Sequence, residues 1–489
     1  MRIKQLIKSL GSFHAGSDLE DFEVKGIACD SKKTLDNYIF VAIKGTHEDG
    51  HRFIREAQDK GAKAIIVQGR RFRPKGQENN IPLIRVDDTR KALAKLAAEF
   101  YGQPSSKLKV VGITGTNGKT TVSYLIEALL KEANCRPAVI GTVNYRFKDK
   151  VFPSKNTTPG PIEVQSMLSQ MQSEGVNYAI MEVSSHALDQ ERVRDINFHS
   201  AIFTNLTQDH LDYHKTLESY FKAKCKLFKD LNSHSFGIIN HDDKYGIKIK
   251  RLTKAQVFTY GIDKKADIMA KGIRSDITQT EFVLVNNKKE INFRTPLIGR
   301  HNIYNILASV SWALKAGLDL ELIKSAIEKF SYVPGRLERI DFEGDFFVFV
   351  DYAHTEDALE NVINSLRQLS SKRILVVFGC GGERDKTKRP KMGRVVSKLA
   401  DYAIITNDNP RGEDPQKIID DIKKGIRRNN YCVIPERLEA IRKSLSLAKT
   451  GDIVLIAGKG HENYQILKDR SINFDDREVV RECLKSMNY

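Results

Sequence analysis

The segment LKVVGITGTNGKTT, at residues 108–121, constrains the fold of this chain more than any other stretch. An apolar strand pattern runs into a glycine-rich turn, which leads directly into a helical pattern. Gly112, Gly115 and Gly118 allow the backbone N–H groups of that turn to point inward around a phosphate. The segment therefore predicts a phosphate-binding loop between a strand and the N-terminus of a helix.

Two side chains after the last glycine of this loop have the chemistry that a nucleoside triphosphate requires. Lys119 supplies a positive point charge, and the Thr120 hydroxyl can bind Mg²⁺ at the helix N-terminus. The spacing differs from the common GxxxxGKS/T pattern, because five residues rather than four separate Gly112 from Gly118. We still expect an ATP site, since the strand, the lysine and the threonine fall in register.

Strand and helix patterns alternate through most of the chain, which favours parallel sheets covered by helices. GQPSS at 102–106 has the composition of a linker, and Pro334-Gly335 marks a second break, so we expect three blocks at residues 1–105, 106–332 and 333–489. The main strand patterns lie at 38–43, 64–67, 109–114, 137–143, 178–183, 200–205, 236–240, 346–353, 373–379, 402–407, 431–436 and 452–458, with helical patterns at 89–101, 301–317 and 319–330.

Polar side chains follow two strands of the central block. Glu182 ends the strand pattern YAIMEV, where a carboxylate can face the phosphates and hold Mg²⁺. The segment NLTQDHLDYH follows the next strand and offers Asp209, His210, Asp212 and His214. A cluster at the carboxyl end of a strand beside a phosphate loop favours function over structure. The following helix, ESYFKAKCKLF, reads by itself as a solvated basic face.

Charge and cysteine usage restrict the class of partner. Lys and Arg total 79 against 62 acidic residues, a formal charge of +17, which suits an anionic partner. The basic residues are dispersed among acids, so we expect small anionic substrates and no nucleic acid. The six cysteines form no CxxC pair, as in reduced cytosolic proteins. Without a signal-peptide core or an apolar run of about 18–20 residues, we expect a cytoplasmic monomer with no membrane partner.

Five motifs in order, GITGTNGKTT, EVSSHAL, TNLTQDHLDYH, HNIYN and DYAHTEDAL, resemble the Mur ligase superfamily, whose ATP-dependent members build the peptide of bacterial peptidoglycan. NTTPG, YFKAK, GRLE, GCGGERD, DNPR and GKGHE resemble the members that add the third residue. The resemblance implies an α/β fold of three domains. These are a small mixed α/β UDP-binding domain (1–105), a central P-loop parallel-sheet ATPase domain (106–332) and a C-terminal Rossmann-like domain that binds the amino acid (333–489).

The resemblance also implies a reaction through an acyl phosphate, with ATP as co-substrate and two Mg²⁺ ions. Lys119, Glu182, His210 and Lys224 match the catalytic positions, and Lys224 matches a lysine that CO₂ converts to a carbamate. The metal positions are Thr120, Glu182, His210 and Lys224 as the carbamate. Residues that match ATP contacts are Gly115, Thr116, Asn117, Gly118, Lys119, Thr120, Thr121, Asn302, Asn305, Arg336, Asp351 and His354.

The acceptor implied by the resemblance is a UDP-N-acetylmuramoyl dipeptide, UDP-N-acetylmuramoyl-L-alanyl-D-glutamate. Two departures fall near its uridine end: Lys32 replaces a customary arginine, and DNY at 36–38 replaces Pro-Gly-Asp. Asn37 can still adopt a left-handed turn there. The matching positions for this substrate are Ser31, Asn156, Thr157, Thr158, Ser184, Arg192 and Lys224.

The incoming amino acid implied by DNPR is meso-diaminopimelate, which carries a carboxylate and an ammonium at its distal centre. The arginine fork of Arg411 suits that carboxylate and would repel the lone distal ammonium of lysine. Thr387 stands where a glycine is common, and we expect little effect. The matching positions are Arg384, Asp408, Asn409, Pro410, Arg411, Gly458 and Glu462.

Three alternatives remain open at this point. The same ligase could use L-lysine or another diamino acid. A related folylpolyglutamate-type ligase is a second alternative, which EVSSHAL, DNPR and the UDP-type first block disfavour. A P-loop nucleic-acid motor is the third, although the chain has no second set of motor motifs and no basic–aromatic binding stripe.

Overall fold

The structure is a computed structural model that describes residues 1–15, 19–45, 48–69, 81–287 and 289–487. The chain divides into two compact units. The first unit comprises residues 1–119 and 130–259, and the second comprises residues 120–129 and 260–489. Each unit is built from helices packed on parallel-rich sheets, so the α/β class expected from the alternating patterns is confirmed.

The first sheet of the first unit has five strands in the order β1-β5-β4-β3-β2, of which only β1 is antiparallel to its neighbour. Asp88 starts the alanine-rich α3 by accepting hydrogen bonds from the N–H groups of Arg90 and Lys91. The elements are α1 (Ile3–Lys8), β1 (His14–Ala15), β2 (Gly26–Ala28), β3 (Tyr38–Val41), α2 (Ile54–Asp59), β4 (Ala62–Gln68), β5 (Leu83–Val86) and α3 (Thr89–Phe100).

The central strands of the first unit follow the order β12-β11-β6-β10-β7-β8-β9. The first five are parallel, and β8 and β9 extend them as an antiparallel hairpin. Residues 120–129 of α4 and 260–261 of β13 belong to the second unit. The elements from residue 109 to residue 261 are β6 (Lys109–Thr114), α4 (Lys119–Glu132), β7 (Pro137–Ile140), β8 (Asn144–Phe147), β9 (Lys150–Pro153), α5 (Pro161–Ser173), β10 (Tyr178–Glu182), α6 (Ser185–Asp189), β11 (Phe198–Phe203), α7 (Leu211–His214), α8 (Leu217–Lys229), β12 (Phe236–Asn240), α9 (Lys244–Lys250) and β13 (Gln256–Gly261).

The position of β6 decides where a site can form in this unit. β6 lies between β10 and β11, and all three strands run in the same direction. Their side chains are almost all buried, as expected for strands that are covered on both faces. The loops that follow these three strands therefore meet at one edge, the usual ligand site of an open α/β sheet.

The second unit contains an antiparallel set of three strands and a six-stranded sheet in the order β17-β18-β22-β19-β20-β21. In that sheet only β17 is antiparallel. The elements are β14 (Ile268–Ser275), β15 (Thr280–Asn286), β16 (Lys289–Thr295), α10 (Arg300–Lys315), α11 (Leu320–Lys329), β17 (Glu338–Ile340), β18 (Phe347–Asp351), α12 (Glu356–Leu369), β19 (Ile374–Phe378), α13 (Lys388–Leu399), β20 (Tyr402–Ile405), α14 (Pro415–Lys423), β21 (Tyr431–Val433), α15 (Arg437–Leu447), β22 (Ile453–Ala457), β23 (Tyr464–Ile466), β24 (Ser471–Asn473) and α16 (Asp476–Ser486).

Apolar side chains cover both faces of the six-stranded sheet. One core packs Val376 and Leu455 against α12 and α13, and the other packs Val377 and Ile456 against α15 and α16. Among the helices in the described residues, none combines the length and apolar content that crossing a bilayer requires.

Candidate active site

The phosphate loop, which we define as residues 112–120, connects β6 to α4. Its shape depends on contact with the segment after β11. A Cβ atom on Gly115 would lie 1.9 Å from Thr204 Oγ1, so no larger residue fits there. Thr204 Oγ1 donates a hydrogen bond to Asn117 O at 2.6 Å, and Asn117 N donates to Asn205 Oδ1 at 3.0 Å. The loop is thus held open by its neighbour rather than by its own sequence alone.

Lys119 follows the last glycine and turns back over the loop. Its Nζ atom donates hydrogen bonds to the carbonyl oxygens of Gly115, at 3.0 Å, and Thr116, at 2.9 Å. Gly118 has a φ of 88°, which a residue with a side chain rarely adopts. Thr120 and Thr121 are buried in the first turn of α4. The predicted lysine therefore lies at the loop that is expected to bind phosphates.

Lys224, on the inner face of α8, is the buried lysine of this region. Its side chain is 1% exposed, and Nζ donates a hydrogen bond to Gly115 O at 2.8 Å. The ammonium lies 4.5 Å from the ring centroid of Tyr220. Burial, reinforced by repulsion from Lys119, lowers the pKa of Lys224 well below its ordinary value. The structure thus brings the lysine of YFKAK to the phosphate loop and favours its neutral amine.

Glu182, at the carboxyl end of β10, is 1% exposed. Its Oε1 atom accepts a hydrogen bond from Thr142 N at 3.0 Å, and Oε2 accepts one from Thr142 Oγ1 at 2.8 Å. A Cβ atom on Gly141 would lie 2.4 Å from Glu182 Oε1. The carboxylate therefore occupies space that only glycine leaves open, and Thr142 fixes its orientation. Neither Gly141 nor Thr142 was a candidate in the sequence.

His210 has a left-handed backbone, with a φ of 53°, and its side chain is about half exposed at 46%. The ring packs edge-on against His186, with centroids 4.8 Å apart, and Nε2 lies 3.4 Å from Asp209 Oδ2. Desolvation lowers the pKa of His210, although Asp209 opposes this shift. The neighbouring His214 instead makes a buried hydrogen bond between Nε2 and Ser185 Oγ at 2.9 Å, which is a structural role.

The donor set must be tested against Mg²⁺, which the sequence resemblance implies. Mg²⁺ prefers oxygen ligands and usually keeps several waters and phosphate oxygens. Thr120 and Glu182 offer such oxygens, whereas unmodified Lys224 offers only a nitrogen. In the part of the chain that the structure describes, no three His, Cys, Asp or Glu side chains form a group able to hold a metal. A metal here would therefore need phosphate oxygens in addition to protein ligands.

Four residues predicted for the acceptor form one hydrogen-bonded network in the first unit. Thr158 Oγ1 donates to Glu182 O at 2.8 Å and accepts from Ser184 N at 3.0 Å. Arg192 Nη1 donates to Thr158 O at 3.1 Å. Thr157 Oγ1 lies 3.1 Å from Thr142 Oγ1. The structure therefore brings NTTPG, EVSSH and Arg192 together around the strand that carries Glu182.

The remaining acceptor candidates lie nearby in sequence or in the first sheet. Asn156 is held by Tyr145, whose hydroxyl donates to Asn156 O at 2.6 Å. Ser31 Oγ donates to Glu56 Oε2 at 2.8 Å, at the start of a short 3₁₀ helix. Asn37 has a φ of 63°, so the predicted left-handed turn is confirmed.

The predicted nucleotide residues of the second unit lie in two places. Asn302 and Asn305 are buried in the first turns of α10, where Asn302 Nδ2 donates to Ile298 O at 2.9 Å and Asn305 Nδ2 donates to Asn302 Oδ1 at 3.1 Å. The Arg336 guanidinium lies 4.5 Å from the ring centroid of Tyr352. Tyr352 O, in turn, is 2.7 Å from His354 Nδ1.

Asp351 ends β18 and accepts hydrogen bonds from Leu337 N, at 2.6 Å, and Ala353 N, at 2.7 Å. Burial raises the pKa of Asp351, while the nearby Arg336 opposes this shift. Burial also lowers the pKa of His354 to about 4. Asp351, His354 and Arg336 are therefore close neighbours, but the first two already have backbone partners.

Two loops of the second unit contain most candidates for the amino-acid substrate. We call residues 379–387 the glycine loop and residues 406–414 the arginine loop. Gly382 N donates to Asn409 O at 2.9 Å, and a Cβ atom on Gly382 would lie 1.9 Å from Pro410 O. A Cβ atom on Gly381 would lie 3.0 Å from Arg411 Nη1 and 3.8 Å from Arg384 Cγ. The glycines thus permit backbone contact between the loops, which brings Arg384 near Arg411.

Arg411 has a left-handed backbone, with a φ of 52°. Its Nη1 atom donates to Gly382 O at 3.0 Å and to Asn409 O at 3.3 Å. Asn409 Nδ2 donates to Glu462 Oε2 at 2.9 Å. A Cβ atom on Gly458 would lie 2.8 Å from Asp408 Oδ2, so Gly458 makes room for that carboxylate. The predicted arginine, asparagine, aspartate and glutamate are therefore brought together.

Sequence reasoning missed three buried cations that support these loops. Arg389 is 1% exposed; its Nη2 donates to Glu413 Oε1 at 3.0 Å, and its Nη1 to Asp421 Oδ2 at 3.1 Å. Arg437 binds Asp476 and also donates to Asn407 O at 3.3 Å. Lys459 is the third. The burial of Arg389 could have been predicted from the sequence, because it shares the inner face of α13 with the apolar residues Met392 and Val396.

The chain is similar to known proteins over its whole length. Three family models match: Mur ligase family, catalytic domain, at residues 23–101; Mur ligase middle domain, at 113–313; and Mur ligase, glutamate ligase domain, at 335–460. The UDP-N-acetylmuramoyl-L-alanyl-D-glutamate--2,6-diaminopimelate ligase of Clostridium tetani is 43% identical over 492 residues, covering 100% of both chains. The enzyme of that name from Aquifex aeolicus is 46% identical over 462 residues, covering 94% of each chain.

Solved structures give the same result. A structure of UDP-N-acetylmuramoyl-L-alanyl-D-glutamate--2,6-diaminopimelate ligase matches with a TM-score of 0.70 and 32% identity, covering 97% of this chain and 98% of that one. A folylpolyglutamate synthase from Mycobacterium tuberculosis matches with a TM-score of 0.62 and 15% identity, covering 76% of this chain and 93% of that one, and so shares the fold.

Proposed function

The chain belongs to the Mur ligase family, and we propose that it is the member that adds meso-diaminopimelate to UDP-N-acetylmuramoyl-L-alanyl-D-glutamate with ATP, in peptidoglycan synthesis. One observation carries this proposal. Relatives named for diaminopimelate ligation are 43% identical to the chain across the full length of both sequences. Similarity of this extent includes the phosphate loop, both loops of the second unit and the expected three-domain architecture.

The reaction requires activation, because a carboxylate does not react with an amine near neutral pH. An acceptor carboxylate oxygen forms a bond to the γ-phosphorus of ATP, and the bond from that phosphorus to ADP breaks. The diaminopimelate amine then attacks the acyl carbon, phosphate leaves, and the new amide nitrogen loses a proton. The chain's part in both steps is mainly alignment and charge stabilisation rather than acid–base chemistry.

The phosphate loop and Lys119 are proposed to hold the triphosphate. Lys119 Nζ now contacts two loop carbonyl oxygens, so a phosphate would replace these neutral acceptors with charged ones. Other proposed nucleotide contacts are Asn302, Asn305, Arg336, Asp351 and His354, which rest on the match to the family motifs.

The residues fit two Mg²⁺ ions only if Lys224 is modified. Thr120 and Glu182 offer oxygens, and His210 is included on the strength of the family motif. The neutral Lys224 amine favoured by burial can attack CO₂, forming an N–C bond and releasing a proton to give a carbamate. The carbamate replaces the amine nitrogen with an anionic group that offers oxygen ligands. When bound, Mg²⁺ would neutralise phosphate charge at this edge of the sheet.

Arg411 is proposed to select the amino acid. Its guanidinium fork can bind the distal carboxylate of diaminopimelate in a bidentate manner, and L-lysine has no such group. Glu462 is suited to the distal ammonium. The left-handed backbone at Arg411 and its contact with the glycine loop support a built position for this side chain.

The proposal is tested by phosphate release with purified protein, ATP, Mg²⁺ and the UDP-muramyl dipeptide. We expect release to depend on meso-diaminopimelate and to be much slower with L-lysine. Equal use of lysine would refute the specificity, and release that needs folate or DNA in place of the acceptor would refute the function. We propose only small substrates of this kind as partners. We also propose that the protein acts as a monomer in the cytoplasm, where ATP and nucleotide-linked precursors are available.

A further inference from the structure

Lys459 lies beneath the proposed amino-acid site and is fully buried, with 0% exposure. It stands in the loop between β22 and β23. A lysine is almost never fully buried unless its charge is paired. The complete burial of Lys459 therefore needs an explanation, and none of the reaction steps described above uses this residue.

Three oxygen atoms surround the Lys459 ammonium. They are Asn409 Oδ1 at 3.4 Å, Glu462 Oε2 at 3.3 Å and the carbonyl oxygen of Tyr464. An ammonium has three N–H donors, so each donor has one acceptor. Lys459 is thus satisfied as a cation within the protein and has no donor left over for a ligand.

The same contacts fix the two side chains above it. Asn409 Oδ1 accepts from Ile466 N at 2.9 Å as well as from Lys459, so the Asn409 amide must direct Nδ2 toward Glu462 Oε2, at 2.9 Å. Glu462 Oε2 therefore receives two donors. Within the described residues, Glu462 Oε1 has no hydrogen-bond partner, which leaves that oxygen for a substrate ammonium.

We propose that Lys459 is a positioning residue that keeps Glu462 ionised and holds its Oε1 atom for the distal ammonium of the amino-acid substrate. This inference rests on the proposed function and deepens it. Lys459 does not touch the substrate; it acts through Glu462, which Asn409 helps to orient. One buried cation thus provides both the charge state and the orientation of the recognition carboxylate.

The electrostatic surroundings of Glu462 support this role. Desolvation raises the pKa of Glu462, and Lys459 is the leading influence in the opposite direction. Without Lys459 the carboxyl would retain its proton at higher pH, and a protonated Glu462 cannot pair with an ammonium. The other charged or titratable groups that face Glu462 are Asp408, Tyr352, Tyr464 and Arg437.

The test compares wild type, Lys459→Met, Glu462→Gln and the double variant by phosphate release at about pH 7 and about pH 9. We expect Lys459→Met to raise the KM for diaminopimelate about tenfold or more at the lower pH, and far less at the higher pH. Ratios of variant to wild type remove the titration of the substrate itself. The KM for ATP should stay unchanged. Lys468→Met, which removes an exposed lysine from the turn between β23 and β24, is the matched control.

The double variant separates positioning from mere structural support. If Lys459 acts through Glu462, its loss adds nothing to Glu462→Gln. Additive losses, or a KM ratio that is the same at both pH values, would overturn the inference. Should Lys459→Met fail to fold, Lys459→Gln carries the same comparison. A wild type that ignores diaminopimelate overturns the proposed function and this inference together, whereas a responsive wild type with a pH-independent ratio overturns only the inference.

Discussion

Lys224 Nζ lies 2.8 Å from the carbonyl oxygen of Gly115, so the buried lysine of α8 touches the phosphate loop directly. The contact joins two segments that are more than a hundred residues apart in the sequence. Lys119 Nζ donates to the same carbonyl oxygen at 3.0 Å, so two lysines share one acceptor of the phosphate loop. A chemical change at Lys224 would therefore alter a direct contact of the phosphate loop.

Replacement of Lys224 by alanine should reduce phosphate release by at least about a hundredfold, because an electrostatic contact at the reacting phosphates is lost. A short-chain carboxylate such as acetate should restore part of the activity. Lys222→Ala, on the exposed face of the same helix, is the control and should retain activity. The modification itself is checked with ¹³C-labelled CO₂ by NMR; an unlabelled, fully active enzyme would contradict the carbamate.

Replacement of Thr142 by valine should raise the Mg²⁺ concentration needed for half-maximal activity. The valine keeps the shape but removes the hydroxyl that donates to Glu182 Oε2 at 2.8 Å. Losing a hydrogen bond to a charged group costs about 1.5–3 kcal/mol. Thr142→Ser keeps the hydroxyl and should behave like wild type. If both variants show the same Mg²⁺ dependence as wild type, Thr142 does not orient Glu182.

Replacement of Arg411 by lysine should weaken diaminopimelate use by about 2–4 kcal/mol, because the bidentate fork is lost. ATP affinity should remain near that of wild type. Arg411→Gly should lose diaminopimelate use as well, yet unfold no more easily, since a left-handed backbone costs a residue with a side chain about 1–2 kcal/mol. Isothermal calorimetry measures the binding of diaminopimelate and ATP, and thermal unfolding measures the stability of each variant. A parallel loss of ATP binding would show that the arginine loop is structural.

The pair between Arg389 and Glu413 should make stability depend on acid pH. Arg389, acting first through its hydrogen bonds, lowers the pKa of Glu413 to about 2 from an ordinary 4.5. The stabilisation is fully present above the ordinary value and is lost as the pH falls through about 2. As the pH is lowered through this window, the unfolding temperature of Glu413→Gln should therefore fall less steeply than that of wild type. Equal slopes of unfolding temperature against pH in the two proteins would contradict this effect.

Replacement of Arg389 by methionine should destabilise the second unit by about 2–4 kcal/mol, because two carboxylates lose a buried partner. Both carboxylates remain partly exposed, which limits the cost. Since Glu413 follows Arg411 by two residues, diaminopimelate use should also fall. Lys391→Met, an exposed cation on the same helix, is the control for denaturant and activity measurements. An unchanged KM for diaminopimelate would show that the ion pairs of Arg389 with Glu413 and Asp421 serve stability alone.

The parallel strands could be predicted because they are short apolar runs between helical patterns. The predicted strands at 109–114 and 236–240 match β6 and β12, and most of the others differ mainly at their carboxyl ends, where polar site residues begin. The antiparallel strands β14, β15 and β16 were not predicted. β14 reads IMAKGIRS, and its alternation of buried and exposed residues is irregular, so the polar run gives little periodic signal.

The residues of the candidate site also divide into those that could be predicted from the sequence and those that could not. The resemblance pointed to Lys224 and Arg411 because they belong to motifs. Arg437 belongs to no quoted motif, and Lys459 stands within GKGHE without having been singled out; the burial of either cation could not be predicted, because it depends on partners from other elements. Arg437 meets Asp476 from α16, and Lys459 meets Asn409 from the arginine loop. Such pairs exist only after the chain has folded, and a single sequence does not record them.

The backbone at position 411 has a consequence for how this chain can change over generations. Glycine is more relaxed than arginine in a left-handed conformation, and every arginine codon becomes a glycine codon by a single nucleotide change. The backbone at position 411 therefore does not call for an arginine, and under the proposed function we expect the side chain to be retained for its contact with the substrate.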